Sequence, residues 1–256
     1  MALNRVKHVD LSGLSPDPFE IAEDHVIFHH IKAKYFNRVL ENSAIAMMLL
    51  DRNKHVEVDL FKEWFSSCDM SWENCMKMLM NVTYISCWYY SDHLTKAMVD
   101  EFAGEEGVVI SSTVRQWKNC LEENNRKIGS NSSPYEFGLV AYLPKARIPM
   151  IVAYHTSEWM DTTRPLFLKD NWYSYQRELR TIYQDNVPLG SPMENPVKMH
   201  LVSVDLSELA NEIYLPIDEN SACMIENLCT KFGYVLKRNG ESTIPTHNPY
   251  RISRTM

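Results

Sequence analysis

Residues 82–113 read VTYISCWYYSDHLTKAMVDEFAGEEGVVISST and form the most regular stretch of the chain. Val82 to Trp88 is rich in β-branched and aromatic residues, which predicts a strand. Apolar residues between Leu94 and Phe102 recur at helical spacing, and Gly104 supplies the residue that a left-handed helix end favours. Val108 to Ser111 predicts a second strand. The stretch is therefore predicted to fold as strand, helix and strand.

Further predicted helices and strands flank this unit. Apolar residues at helical spacing predict one helix after Thr113 and another that ends at Gly233. Short β-branched runs predict more strands, among them Leu179 to Tyr183. Because strands outnumber helices, we expect an α/β (α+β) fold, with a mixed central β-sheet covered by helices in a single domain. The predicted boundaries are an irregular N-terminal arm at 1–25, the domain at 26–245 and a C-terminal tail at 246–256.

Charge and composition exclude several classes of function. The chain has 26 Lys and Arg against 33 Asp and Glu, a net charge of −7, which argues against nucleic acid as the main partner. No apolar run reaches the roughly 18 residues of a membrane helix, and the first residues lack an apolar signal segment. The six cysteines show no C-x-x-C pair and no zinc-like spacing to histidine. We therefore expect a cytoplasmic protein with reduced thiols, no membrane partner and no metal.

Separated motifs give the chain a resemblance to a known family. The motifs are YISCW (84–88) with AM (97–98) and VVISST (108–113), FGLVAY (137–142), FLK (167–169) with QRELR (176–180), and VDL (204–206) with EIYLP (212–216). In this order they resemble the bacterial domain-of-unknown-function family 2971, in which a Ser-Cys-Trp strand precedes an Ile-x-Ser-Thr strand and a Glu-x-Glu-x-Arg strand. The resemblance spans Val26 to Pro245.

The order of the motifs also suggests a distant resemblance to ADP-ribosyltransferases. It implies Glu178 as the catalytic carboxylate, with Gln176 and Ser111 beside it, and NAD or a related nucleotide as the substrate. Cleavage of the nicotinamide–ribose bond builds positive charge on the ribose, so a fixed carboxylate there lowers the barrier. Residues two apart on a strand share a face, so Gln176 and Glu178 are expected to face one cleft. The nucleotide-binding side chains expected beside that cleft are those of His29, Ser112, Trp88 and Tyr90.

Simpler interpretations of the same residues stay open. Glu178 can pair with Arg180, which lies one step further along the same strand face, and then has a structural role or lies on a solvated face. His29 and His30 are adjacent on a predicted strand, so they point to opposite faces and do not bind one metal ion together. Cys87, within a predicted strand, is expected to be a buried, unreactive thiol.

Two hypotheses about function follow. Departures from the family pattern at Val99, Lys62 and Gln176 favour a non-catalytic interaction or self-assembly module, which acts as a homo-oligomer or on a protein partner and needs no cofactor. This module predicts a self-complementary apolar surface. The alternative is an ADP-ribosyltransferase-like enzyme, which predicts a cleft where His29 and Ser111 converge on Glu178.

Overall fold

A computed structural model describes residues 21–50, 80–128, 135–144, 164–185, 197–240 and 246–255. Twelve strands occur in these ranges: β1 (Val26–Ile31), β2 (Ala44–Leu49), β3 (Thr83–Tyr90), β4 (Val108–Thr113), β5 (Tyr135–Leu139), β6 (Ala141–Leu143), β7 (Leu168–Asp170), β8 (Glu178–Gln184), β9 (Met199–Ser203), β10 (Glu212–Pro216), β11 (Tyr234–Arg238) and β12 (His247–Arg254).

The helices in the same ranges are mostly short. They are α1 (Ala33–Asn42), α2 (Lys96–Met98), α3 (Val114–Ile128), α4 (Leu206–Leu209) and α5 (Glu219–Lys231). A π-helical turn, Val99–Ala103, continues α2, and 3₁₀ turns cover Arg164–Phe167 and Asn171–Gln176. Thr95 caps α2, because its Oγ1 accepts a hydrogen bond from the Met98 amide, and Gly104 ends the π turn at a φ of 77°.

Ten of the strands form one large sheet. Its order is β11-β12-β10-β4-β1-β3-β2-β9, with β8 pairing β3 and β5 beside this path. The pairings in this sheet are antiparallel, while β6 and β7 form a separate parallel pair. The single-domain α+β fold expected from the sequence is confirmed, and the two senses of strand pairing divide between two sheets.

The sheet forks beside β3, because β1 and β2 lie on the same side of it. β1 leaves β3 after the pair Phe28–Tyr89, and β2 joins β3 at the pair Met48–Ile85. Between these pairs the Cys87 carbonyl lies 3.1 Å from Nδ1 of His29. Since a carbonyl only accepts, Nδ1 carries the proton and donates to it. The His29 side chain thus replaces a backbone bond that the fork removes.

Two apolar clusters lie on opposite faces of the sheet. The main core contains Ile27, Trp88 and Ile110 from the strands together with buried residues of α1, α3 and α5. The minor core packs α2 and its π turn against the other face, and its members are Phe28, Tyr89, Leu94, Met98, Val99, Ala103 and Val109. The alternation of strand side chains therefore decides which cluster each predicted site residue joins.

The expected C-terminal tail is wrong, because His247–Arg254 forms β12 between β10 and β11. Pro249 argued against a strand in the sequence, since proline rarely occupies a central strand. Pro249 lies beside the end of β11, and its carbonyl accepts a hydrogen bond from the Asn239 amide. Its missing N–H therefore removes only a hydrogen bond at the end of the β11–β12 ladder. Residues 1–20 of the predicted arm at 1–25 lie outside the described residues. The last residue of the arm, His25, stacks on Tyr90 at 3.6 Å between ring centroids.

Candidate functional site

Glu178 is the centre of a buried ion cluster. Its Oε1 lies 2.5 Å from Nζ of Lys169, and its Oε2 accepts from Nε and Nη2 of Arg180, each at 2.9 Å. The side chains of Lys169 and Arg180 are 2% and 0% exposed, and that of Glu178 is 7% exposed. The pairing of Glu178 with Arg180 is therefore confirmed, within the protein and not on a solvated face.

The elements around Glu178 explain why the cluster forms. Glu178 and Arg180 project from the same face of β8, while Lys169 comes from the middle of β7 in the small parallel sheet. Arg180 also donates through Nη1 to the Leu166 carbonyl, which ties β8 to the 3₁₀ turn before β7. The cluster thus joins the small sheet to the large one.

The charges of this cluster fix its protonation. Burial raises the pKa of Glu178, but the nearby charges of Arg180 and Lys169 outweigh burial and lower that pKa to about 2. Cys87 lies opposite Arg180 on β3, and burial raises the pKa of its thiol to about 12. At neutral pH, Glu178 is therefore ionised and Cys87 is a neutral, unreactive thiol.

The sequence predicted Gln176 and Glu178 on one strand. This prediction is wrong, because Gln176 lies outside β8. It ends the 3₁₀ turn Asn171–Gln176, and Arg177 adopts a left-handed conformation at a φ of 39° before β8 begins. The two side chains nevertheless meet at one group, because Oε1 of Gln176 accepts from Nζ of Lys169 at 2.5 Å. Its Nε2 donates to Oε1 of Glu101 on the π turn at 3.0 Å.

Ser111 is too far from Glu178 to share a reacting centre. The strand registers place Ser111 opposite Phe28, Phe28 opposite Tyr89, and Tyr89 opposite Glu178. Three interstrand steps separate the two backbones by about 14 Å, and two aromatic rings of the minor core fill the space between them. The predicted convergence of Ser111 on Glu178 is therefore wrong.

The four side chains predicted to bind a nucleotide share one face, but it is the face opposite Glu178. His29 is held at the fork, and Trp88 is 1% exposed with its ring 5.0 Å from that of Trp117. Oγ of Ser112 donates to the Leu209 carbonyl at 2.6 Å, and Tyr90 stacks on His25. His29, Trp88 and Ser112 are packed within or against the main core, so they do not line a nucleotide cleft with Glu178.

Comparison with known proteins gives no match. No family model, curated protein or solved structure matches the chain. Both resemblances drawn from the sequence thus stay predictions.

Two further features are absent from the described part of the chain. Its helices include none that is long and apolar enough to cross a membrane. Its histidines, cysteines and carboxylates form no group of three or more that would hold a metal ion. The adjacent His29 and His30 indeed diverge, since His29 contacts Trp88 of the main core and His30 contacts Tyr89 of the minor core.

Strand β9 is a candidate interaction site that the sequence did not single out. It is the last strand of the large sheet within the described ranges. The bonds from the Leu49 amide to the Lys198 carbonyl and from the Val204 amide to the Ser43 carbonyl set the phase of the β2–β9 ladder. In that phase, Met199, Leu201 and Ser203 direct their amides and carbonyls away from β2.

One end of this outer edge is already occupied. Asn124 of α3 accepts from the Ser203 amide at 2.9 Å and donates to the Ser203 carbonyl at 2.8 Å. The side chains of Leu201 and Val197 are 42% and 67% exposed, and Met48, opposite Met199 on β2, is 39% exposed. The edge thus combines outward-facing backbone groups with exposed apolar side chains, which in other proteins marks a site of strand addition.

Proposed function

We propose that the chain is a non-catalytic self-assembly module whose copies pair through β9. The observation that carries this proposal is the apolar series at the edge, Val197, Met199 and Leu201, each two residues from the next, of which Val197 and Leu201 are exposed and Met199 is half-buried. Residues at this spacing share one face of a strand and also share one direction of their backbone groups.

The edge is complementary to itself. When two copies of β9 pair antiparallel about Met199, each Val197 lies opposite Leu201 of the other copy, and the two Met199 residues lie opposite each other. Each of these three pairs exchanges two backbone bonds, about six in all. Because Asn124 occupies Ser203, pairing is limited to the segment before it. A two-fold axis through Met199 uses that segment and no more.

Apolar contact adds to the backbone bonds. Met48 lies opposite Met199 on β2, so pairing places two copies of each methionine in one row across the joined sheet. Cross-strand apolar pairs of this kind each contribute about 0.2–1 kcal/mol. Since the contact area of two edge strands is small, we expect dissociation constants on the order of micromolar.

The buried ion cluster supports the non-catalytic half of the proposal. The carboxylate of Glu178 is bonded by Lys169 and Arg180, and Ser111 and His29 lie elsewhere in the sheet. A carboxylate that stabilises developing charge on a ribose has to face the substrate.

We further propose a cytoplasmic location, supported by free cysteines at Cys87, Cys120 and Cys229 whose pKa values burial raises to between about 11 and about 12.

The oligomeric state tests the proposal. Analytical ultracentrifugation of the full chain across the micromolar range is expected to show a monomer–dimer equilibrium. Leu201→Lys places a charge on the apolar face and is expected to weaken the dimer at least tenfold, because edge lysines oppose strand pairing. Leu201→Pro removes the outward-facing N–H directly and is expected to have the same effect.

The matched control is Val235→Lys. Val235 lies on β11, at the other end of the main strand path, and its side chain is 44% exposed, much as Leu201 is. This variant is expected to dimerise like the unmodified chain. A chain that stays monomeric at all these concentrations, or an equal response to the lysines at 201 and 235, would show that β9 is not the contact.

A further inference from the structure

A cavity of about 330 Å³ lies between α2 and the turn that precedes β8. Two of its lining side chains, Tyr89 and Met98, belong to the minor core and are buried. Ala97 and Tyr175 are exposed lining residues, and the Tyr175 ring is fixed at one end by a hydrogen bond from its hydroxyl to Glu101. The cavity therefore has an apolar and aromatic base, as small-molecule sites usually do, and its volume lies at the lower end of their range.

The polar lining of this cavity includes one permanent cation, the Arg177 guanidinium. Arg177 and His93 line the cavity together with Thr95, and the lining residues include no carboxylate. Within the described ranges the Arg177 guanidinium forms no ion pair, whereas Arg180 and Lys169 nearby are both paired. Thr95 Oγ1 accepts from the Met98 amide, which leaves its own hydroxyl proton to donate. These groups are complementary to an anion that sits above an aromatic surface.

The backbone at Arg177 is in a conformation that an arginine rarely adopts. Its φ is 39°, in the left-handed region where glycine has the lowest cost. The turn is held by the bonds from the Arg177 amide to the Ser174 carbonyl and from the Tyr90 amide to the Arg177 carbonyl. Glycine would satisfy both bonds without strain, so fold stability alone does not explain an arginine here. Non-glycine residues with a positive φ occur at helix ends, as Arg177 does here, and they also cluster at binding sites.

We infer that this cavity binds a small planar aromatic anion. The ring packs between Tyr89, Met98 and Tyr175, and the anionic group pairs with the Arg177 guanidinium at the rim. This is a binding site separate from β9, and it does not depend on whether the chain dimerises.

An NMR titration of the backbone amides of the full chain tests this assignment. The probes are phenyl phosphate, benzyl alcohol as the ring without the charge, and inorganic phosphate as the charge without the ring. Phenyl phosphate is expected to shift the amides of Thr95, Met98 and Arg177 saturably, with a dissociation constant on the order of 1 mM or below. The other two probes are expected to bind at least tenfold more weakly.

Substitutions at Arg177 separate binding from folding. Arg177→Gly is expected to weaken phenyl phosphate at least tenfold while its melting temperature equals or exceeds that of the unmodified chain. Arg177→Lys keeps the charge and is expected to lose less affinity. Absence of saturable shifts at the cavity, equal binding of inorganic phosphate, or full affinity in Arg177→Gly would each overturn the assignment.

Discussion

Arg180 holds Glu178 from two residues away on the same face of β8, with Nε and Nη2 both 2.9 Å from the carboxylate. Lys169, which lies on the small parallel sheet, pairs with the other carboxylate oxygen of Glu178. Glu178 thus pairs with two buried cations at once. A cluster of this kind contributes little as a whole, but the loss of one member removes a charge that compensated its buried partners.

Replacement of Glu178 is therefore expected to affect folding more strongly than any surface change. Glu178→Gln leaves Lys169 and Arg180 without their shared anion, and we expect it to lower the free energy of unfolding by about 3–5 kcal/mol. Urea denaturation monitored by circular dichroism measures this. The control is Glu101→Gln, at an exposed acid beside the same cluster, which is expected to cost less than about 1 kcal/mol. Equal effects of the two substitutions would contradict a structural role for Glu178.

An assay of NAD chemistry tests the alternative function directly. Because Glu178 is bonded to Arg180 and Lys169, we expect neither the unmodified chain nor Glu178→Gln to release nicotinamide from NAD. Chromatographic measurement of free nicotinamide gives the answer. Release by the unmodified chain that disappears in a folded Glu178→Gln variant would restore the ADP-ribosyltransferase hypothesis.

The half-buried histidines of β1, His29 and His30, predict a loss of stability in mild acid. Burial lowers the pKa of His29 to about 4 and that of His30 to about 3, so both rings are neutral in the folded chain. The unfolded chain takes up these protons from about pH 6.5 downward, so stability is full above that pH and falls as pH decreases toward 4. Each ring adds about 1.4 kcal/mol per pH unit to the slope well inside this window.

His30→Leu isolates one of these steps. Nε2 of His30 is buried and has no hydrogen-bond partner in the described part of the chain, so leucine is expected to be tolerated. Urea denaturation at pH 7 and pH 5 is expected to show a smaller difference for this variant than for the unmodified chain. Both pH values lie above 4.5, and the contribution of ionised Glu178 to stability is lost only below that value. An unchanged difference would show that the His30 ring is not held neutral in the folded chain.

Asn124 is expected to stabilise the end of β9. Its side chain pairs with both backbone groups of Ser203 and is buried. Asn124→Leu leaves those groups unpaired and is expected to cost about 2 kcal/mol in the free energy of unfolding. The neighbouring Asn125, whose Oδ1 has no partner within the described ranges, provides the control, and Asn125→Ala is expected to cost less. Thermal denaturation that ranks the two in the opposite order would contradict this role.

Local patterns predicted the fold well where one segment determines its own structure. The strand and helix pattern of residues 82–113 reappears as β3, α2 with its π turn, and β4. Gly104 and Gly233 both have the positive φ that their positions indicated. β12 was missed because Pro249 is read locally as a break, whereas its tolerance depends on where the neighbouring strand ends.

The candidate site was harder to predict because it depends on contacts between distant segments. The pairing of Glu178 with Arg180 follows from strand alternation alone. The burial of Lys169 against them depends on how the small sheet packs, and the left-handed turn at Arg177 has no sequence signal, since arginine is an unusual residue there. The fork that holds His29 likewise arises from the placement of β1 and β2, which no motif encodes.

The proposed β9 contact is two-fold, and this symmetry sets a limit on the size of the assembly. Each copy contributes the same short segment, and once two copies have met, that segment is consumed on both, with Asn124 blocking its continuation. A higher concentration then increases the number of dimers but not the number of copies in each assembly. A chain that pairs in the proposed way is expected to form discrete dimers and not to polymerise into fibres by this contact.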